Sequence, residues 1–164
     1  MAVTDKHAGR RNFLKQSGGA ALGVAALATG INVEAAYKSR KVVSVKELRP
    51  NTPVSFNYPD NAAAVILDMG QAVEGGIGPK KSIVAFSALC QHMGCPVNYV
   101  ADDKQFVCPC HASAFDPLRN GDAVEGPSTR GLPRIALKIS NGDILATGIV
   151  SGVVYGYSCN NAQI

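Results

Sequence analysis

Between positions 90 and 111 the chain gathers four of its five cysteines and two of its three histidines. They fall in two short boxes, Cys90-Gln91-His92-Met93-Gly94-Cys95 and Cys108-Pro109-Cys110-His111-Ala112-Ser113. A general disulfide framework would spread its cysteines along the chain, whereas tight clustering beside histidine points to a bound metal. Each box places one thiolate and one imidazole on a single tight loop. Asp102-Asp103 is a turn signal between the boxes, so a hairpin over 97–107 would bring the two loops together. Whatever fold the chain adopts must hold these two loops face to face.

A set of two Cys and two His is also a zinc set. Zinc ribbons and fingers more often pair cysteines roughly two to four residues apart and keep a separate His pair. Here each loop contributes one of each, and two further cysteines remain. A nucleophilic cysteine with a histidine base would leave four clustered cysteines unexplained.

From Lys41 onward the sequence is β-like. Seventeen Gly and nine Pro imply many turns and hence many short strands. The expected strands are 42–46, 53–57, 63–68, 82–88, 97–100, 104–107, 134–140, 143–149 and 152–157, with loops over 70–81 and 116–133. Ile135, Leu137 and Ile139 alternate with Ala136 and Lys138, the period of a half-buried strand. Asn141-Gly142 then supplies a tight hairpin turn. No long stretch of helical periodicity follows residue 40. The expected fold class is all-β: a small antiparallel sandwich or barrel with a metal-bearing subdomain inserted at about 89–116.

The front of the chain reads differently. Gly9-Arg10-Arg11-Asn12-Phe13-Leu14-Lys15 precedes an apolar, small-residue run from Gly18 to about Ile31. This order resembles a twin-arginine export signal. The expectation is a signal segment over 1–36, a domain over 37–164 and a periplasmic location. A spanning helix needs about 20 predominantly apolar residues, so membrane association would require a retained signal and would be weak. Twin-arginine export carries folded proteins, which suits a cofactor inserted in the cytoplasm. The oxidising periplasm also permits a disulfide. The net charge of +4 reflects the leader in part. The first 35 residues hold Lys6, Arg10, Arg11 and Lys15 against Asp5 and Glu34, which leaves +2 for the rest. With no basic stripe and no interleaved aromatics, nucleic-acid binding is not expected.

The two boxes resemble the Rieske signature, Cys-x-His-x-Gly-Cys followed by Cys-Pro-Cys-His-x-Ser. The resemblance implies one [2Fe–2S] cluster per chain, with Cys90 and Cys108 on one iron and His92 and His111 on the other. It implies a disulfide between Cys95 and Cys110 that clamps the two loops. Replacing two thiolates by neutral imidazoles removes negative charge from one iron and raises the potential to roughly −150 to +300 mV. In the high-potential members a Ser and a Tyr donate hydrogen bonds to sulfur. Ser113 stands at the Ser position, but Phe115 stands at the Tyr position, which implies an intermediate potential. Ala112 replaces the usual Gly, which implies an altered backbone there. Gly126-Pro127-Ser128-Thr129-Arg130-Gly131-Leu132-Pro133 resembles the loop that covers the cluster in this family. Cys159 is left over and reads as a free thiol.

Within the family, most of the chain after the leader is similar to the small subunits of bacterial arsenite oxidases. Pro53 to Asp60, Gly75 to Pro79, the run from Ile83 to Pro96, Gly131 to Arg134 and Tyr155-Gly156-Tyr157 carry that likeness. It implies an electron-transfer subunit without catalytic residues of its own. Its partner would be a large molybdopterin subunit with a further iron–sulfur cluster, oxidising arsenite to arsenate. Its acceptor would be a periplasmic cytochrome c or a cupredoxin. The loops 89–96, 108–116 and 126–133 would then face the large subunit, with Ala112 and Leu132 at the interface. A Rieske subunit of a quinol-oxidising cytochrome bc complex would keep its leader as an anchor, and the short apolar run and Phe115 argue against it. Rieske ferredoxins of ring-hydroxylating oxygenases are cytoplasmic and usually lack the disulfide pair. Arg10-Arg11 and Cys95 with Cys110 argue against that reading.

Overall fold

The computed structural model describes residues 38–157. The expected export signal with Arg10 and Arg11, and the leftover Cys159, lie outside the described residues. Ten strands form two sheets in which every strand pair is antiparallel: β1 (Arg40–Ser44), β2 (Val54–Asn57), β3 (Ala63–Asp68), β4 (Ile83–Ser87), β5 (Asn98–Val100), β6 (Gln105–Val107), β7 (Ala114–Asp116), β8 (Asp122–Glu125), β9 (Arg134–Ser140) and β10 (Asp143–Ile149). The larger sheet has six strands in the order β1-β10-β9-β4-β3-β2 and the smaller has four in the order β5-β6-β7-β8. Among the described residues no helix is long and apolar enough to cross a membrane.

The centre of the large sheet explains the continuous apolar runs 62–67 and 83–86. Successive side chains on a strand point to opposite faces. Ala64 and Ile66 of β3, with Ile83 and Ala85 of β4, join one core that also holds Ile135, Ile144 and Ala146. Val65 and Leu67, with Val84 and Phe86, join a second core that holds Phe106, Phe115, Leu132, Cys90 and Cys108. Both faces are covered, so no polar alternation is needed. β10, by contrast, alternates buried and half-buried positions, as expected for a strand covered on one face. The Asn141-Gly142 turn joins β9 to β10 with both residues at positive φ.

The small sheet extends beyond the expected insertion. After β7 the chain makes a 3-10 turn over Pro117–Arg119, capped by the Asp116 carboxylate accepting from Leu118 N–H at 2.8 Å. It then pairs β8 back onto β7. Both strands fall where the sequence suggested loop ligands or open loop, because three or four residues are too few to display a period. The expected strand 152–157 is absent. Val153, Val154 and Tyr155 favour extended structure, but Gly152 and Gly156 both take positive φ and bend the segment.

β1 and β2 are the two edges of the large sheet, and the sheet curls until they approach each other. Arg40 on β1 spans the seam: its Nη1 donates to Asn57 O at 2.7 Å and to Asp60 O at 2.8 Å. Arg40→Ala should lower stability by about 1 kcal/mol, the net contribution of an exposed hydrogen-bonding group. Thermal unfolding would show this as a lower Tm, with the visible spectrum of the expected cluster unchanged.

Candidate metal centre

The two boxes fold into loops of the same form. In loop one, Cys90 N–H donates to Cys95 O at 2.9 Å and Gly94 N–H donates to Cys90 O at 2.8 Å. In loop two, Cys108 N–H donates to Ser113 O at 2.8 Å and Ala112 N–H donates to Cys108 O at 3.0 Å. Each turn needs a left-handed residue at its fifth position, and Gly94 takes φ 77° while Ala112 takes φ 57°. Alanine in that region costs about 1 kcal/mol. Ala112 therefore keeps a left-handed backbone that glycine would adopt freely.

The hairpin β5–β6 brings the loops together, and a disulfide between Cys95 and Cys110 joins them. Cys90 and Cys108 are free thiols buried beneath, at 0% and 2% exposure. The sulfurs of Cys95, Cys108 and Cys110 lie within 4.8 Å of one another. The disulfide removes two of these three as thiolates, so that grouping marks the bridge passing over Cys108. His92 is half-buried and His111 exposed, with ring centroids 4.9 Å apart and planes at 87°. Thiols thus lie inward and imidazoles outward.

The donor set fits a cationic metal cluster. Burial pushes the Cys90 thiol above its ordinary range, and the neighbouring Cys108 thiol acts in the same direction. The backbone N–H groups of His92 and Met93 point at the Cys90 sulfur and pull the other way. Two thiolates side by side in a buried place need positive charge next to them. His92 Nδ1 is buried and has no hydrogen-bond partner. A sealed polar nitrogen left unpaired is costly, roughly 1–3 kcal/mol, and binding a metal removes that cost.

The surroundings place the remaining expected residues. Ser113 is fully buried, and its Oγ accepts from Ser128 N–H at 3.1 Å, so its own O–H is left to donate elsewhere. Ser128 belongs to the covering loop 126–133, and its Oγ donates to Arg130 O at 2.8 Å. That loop lies directly on box two, since a β-carbon at Gly126 would fall 2.6 Å from Ser113 Cα. Sequence reading singled out the loop but not Ser128, whose role depends on a partner 15 residues away. Phe115 is fully buried in the core that contains both free thiols, opposite Phe106 across β6–β7. Leu132 is 1% exposed in the same core, which corrects its expected place on a docking surface. A charge there would disrupt packing rather than an interface.

The geometry separates clamp from ligand. Cys95→Ala should leave the four candidate ligands in place and retain colour, with stability lowered by about 2–4 kcal/mol for the lost bridge. Cys90→Ser removes one of the inner thiols and should give protein without iron. Iron analysis and thermal unfolding of the two variants check this, and equal loss of iron from both would merge the two roles.

Comparison with known proteins bears on the same region. The family model for the Rieske [2Fe-2S] domain matches residues 38–136. An iodate reductase subunit of Denitromonas iodatirespirans is 35% identical over 161 residues, covering 93% of this chain and 86% of that one. A cytochrome bc1 complex Rieske iron-sulfur subunit of Corynebacterium glutamicum is 41% identical over 66 residues, 39% of this chain and 16% of the other. In the crystal structure of the soluble domain of Rieske protein II from Sulfolobus acidocaldarius the fold is alike, with TM-score 0.64 and 22% identity over 77% of this chain and 85% of that one. The paired loops, the disulfide across them and the match along most of the described residues together place this chain in the Rieske [2Fe-2S] family, as an electron-transfer protein.

Proposed function

We propose that this chain is the electron-transfer subunit of a periplasmic arsenite oxidase, with Cys90 and Cys108 holding one iron of the [2Fe–2S] cluster and His92 and His111 the other. The observation that carries the electron-transfer role is the layering of the donors, with buried thiols inside and His111 at the surface. Held by these four residues, a [2Fe–2S] cluster would supply one-electron exchange. The protein's part is to hold its sulfurs away from water and to present the imidazole side to a partner. Pro109, Cys110, His111 and Ala112 are exposed, and Met93 is 60% exposed beside them, so this tip is the natural place of approach. The docking partner in this reading is a molybdopterin subunit with its own iron–sulfur cluster, and the acceptor is a cytochrome c or cupredoxin.

The arsenite assignment is supported by the segments named above, from Pro53 to Tyr157, that resemble arsenite oxidase small subunits. The periplasmic assignment is supported by the twin-arginine pattern at Arg10-Arg11. A second reading is a subunit of an iodate reductase, favoured by the relative that aligns along nearly the whole chain. The two readings share this chain's chemistry and differ in the direction of electron flow. The likeness to the bc1-complex subunit covers 39% of this chain and 16% of the other, and supports the shared family rather than a quinol reaction.

The test is to purify the chain with its natural partner and count metals. About two irons and two inorganic sulfides per chain are expected, and stoichiometric zinc without colour would overturn the ligation. Arsenite should then bleach the oxidised cluster's spectrum in the complex, and His111→Ala should abolish the signal. Oxidation of the reduced cluster by iodate, with no response to arsenite, would favour the second reading.

Phe115 offers a separate check on tuning. Its ring is fully buried among Cys90 and Cys108. By its place in the Rieske pattern, Phe115→Tyr should bring a hydroxyl donor to a ligand sulfur, and a donor favours the more negative, reduced state. The midpoint potential should rise by roughly tens of millivolts. Voltammetry of the isolated chain reads this directly, and an unchanged potential would show that the hydroxyl points elsewhere.

A further inference from the structure

Residues 150–157, which follow β10, include none of the candidate ligands, yet they return to the cluster loops. Val150 N–H donates to Arg134 O at 2.9 Å, and Arg134 N–H donates to Ser151 Oγ at 3.0 Å. These bonds hold the segment beside the end of the covering loop. Gly152 lies against Pro133, where a β-carbon would fall 3.3 Å from Pro133 Cγ. Val154 is buried at 1% exposure, and the chain turns there, with Tyr157 N–H donating to Val154 O at 3.0 Å. This anchoring delivers Tyr155 to loop one. A β-carbon at Gly94 would fall 2.5 Å from Tyr155 Cδ1, so the ring fills the space a side chain at position 94 would need.

Gly94 is the left-handed turn of loop one, and its N–H closes that loop on Cys90 O. The direction of the His92 and Met93 amides depends on this turn. Both amides point at the Cys90 sulfur. Hydrogen bonds to cluster sulfur stabilise the electron-rich reduced state and so set the potential. Loop two is held by the covering loop through Ser128, whereas loop one carries the tyrosine ring against its turn.

We propose that Tyr155 is a positioning residue for the redox centre: its ring braces Gly94, so that loop one keeps two amides aimed at the inner cysteine. The inference rests on the ligation given above. Its readout is the potential and the spectrum of the loaded cluster, not turnover.

Voltammetry on the cluster-loaded wild type, Tyr155→Phe and Tyr155→Ala tests it. Phenylalanine keeps the ring and should leave the one-electron equilibrium unchanged. Alanine should shift that equilibrium toward the oxidised form by roughly threefold to tenfold, tenfold being about 59 mV for one electron. The g-values of its reduced cluster should move as well. Should Tyr155→Ala lose its cluster, Tyr155→Leu carries the same comparison. Gly94→Ala gives an independent measure through coupling: it should perturb the potential less when residue 155 is small, because the clash with the ring is gone. An unchanged potential and spectrum in the alanine variant would overturn the proposal. So would a phenylalanine variant shifted as far as alanine, which would assign the effect to the hydroxyl. A wild type without iron would instead overturn the ligation.

Discussion

Strands β3 and β4 bury both of their faces, and the placement of the metal centre follows from that packing. One face closes the curled six-stranded sheet through Ile66, Ala85, Ile135 and Ile144. The other face supports the four-stranded sheet through Phe86, which meets Phe106 edge-on with centroids 6.0 Å apart. Fully burying an aromatic side chain contributes about 1.5–3 kcal/mol. Phe86, Phe106 and Phe115 together therefore form a strong apolar wedge beneath loops that have little core of their own. Cys90 and Cys108 lie in the same wedge, so the packing that attaches the small sheet also seals the thiols from water.

The loops themselves are held in layers. Backbone hydrogen bonds shape each turn, the disulfide ties one turn to the other, and segments from elsewhere in the chain press on them from outside. A metal site needs this redundancy, because ligand geometry must persist while the charge of the bound group changes by one electron. Strain is accepted where it serves that end. Ala112 sits at a left-handed φ that costs about 1 kcal/mol, yet loop two keeps the hydrogen bonds that loop one makes with glycine.

Outside the centre the fold follows ordinary β logic. The edges of the large sheet are drawn together by Arg40 rather than left open, which limits edge-to-edge pairing with other chains. Among the described residues the exposed large apolar side chains are few, and Met93 and Tyr155 lie at or near loop one. An electron-transfer protein has to bring its redox group to a surface, so some apolar exposure near the centre is expected of its function.

The sequence by itself determined the chemistry and the fold class. Cysteine and histidine are ligands by residue type, and their spacing within each box is local, so both boxes were legible without coordinates. Alternation at Ile135, Leu137 and Ile139 and the Asn141-Gly142 turn were legible for the same reason, because period and turn preference act over a few neighbouring residues. Tertiary structure alone decided the rest. It carried the small sheet on to Glu125 through strands too short to show a period, and bent the expected strand 152–157 at two glycines. It moved Leu132 from the surface to the core and brought Ser128 to Ser113 and Tyr155 to Gly94. These outcomes depend on contacts between residues distant along the chain, and no local pattern of residues encodes which distant surface each side chain will meet.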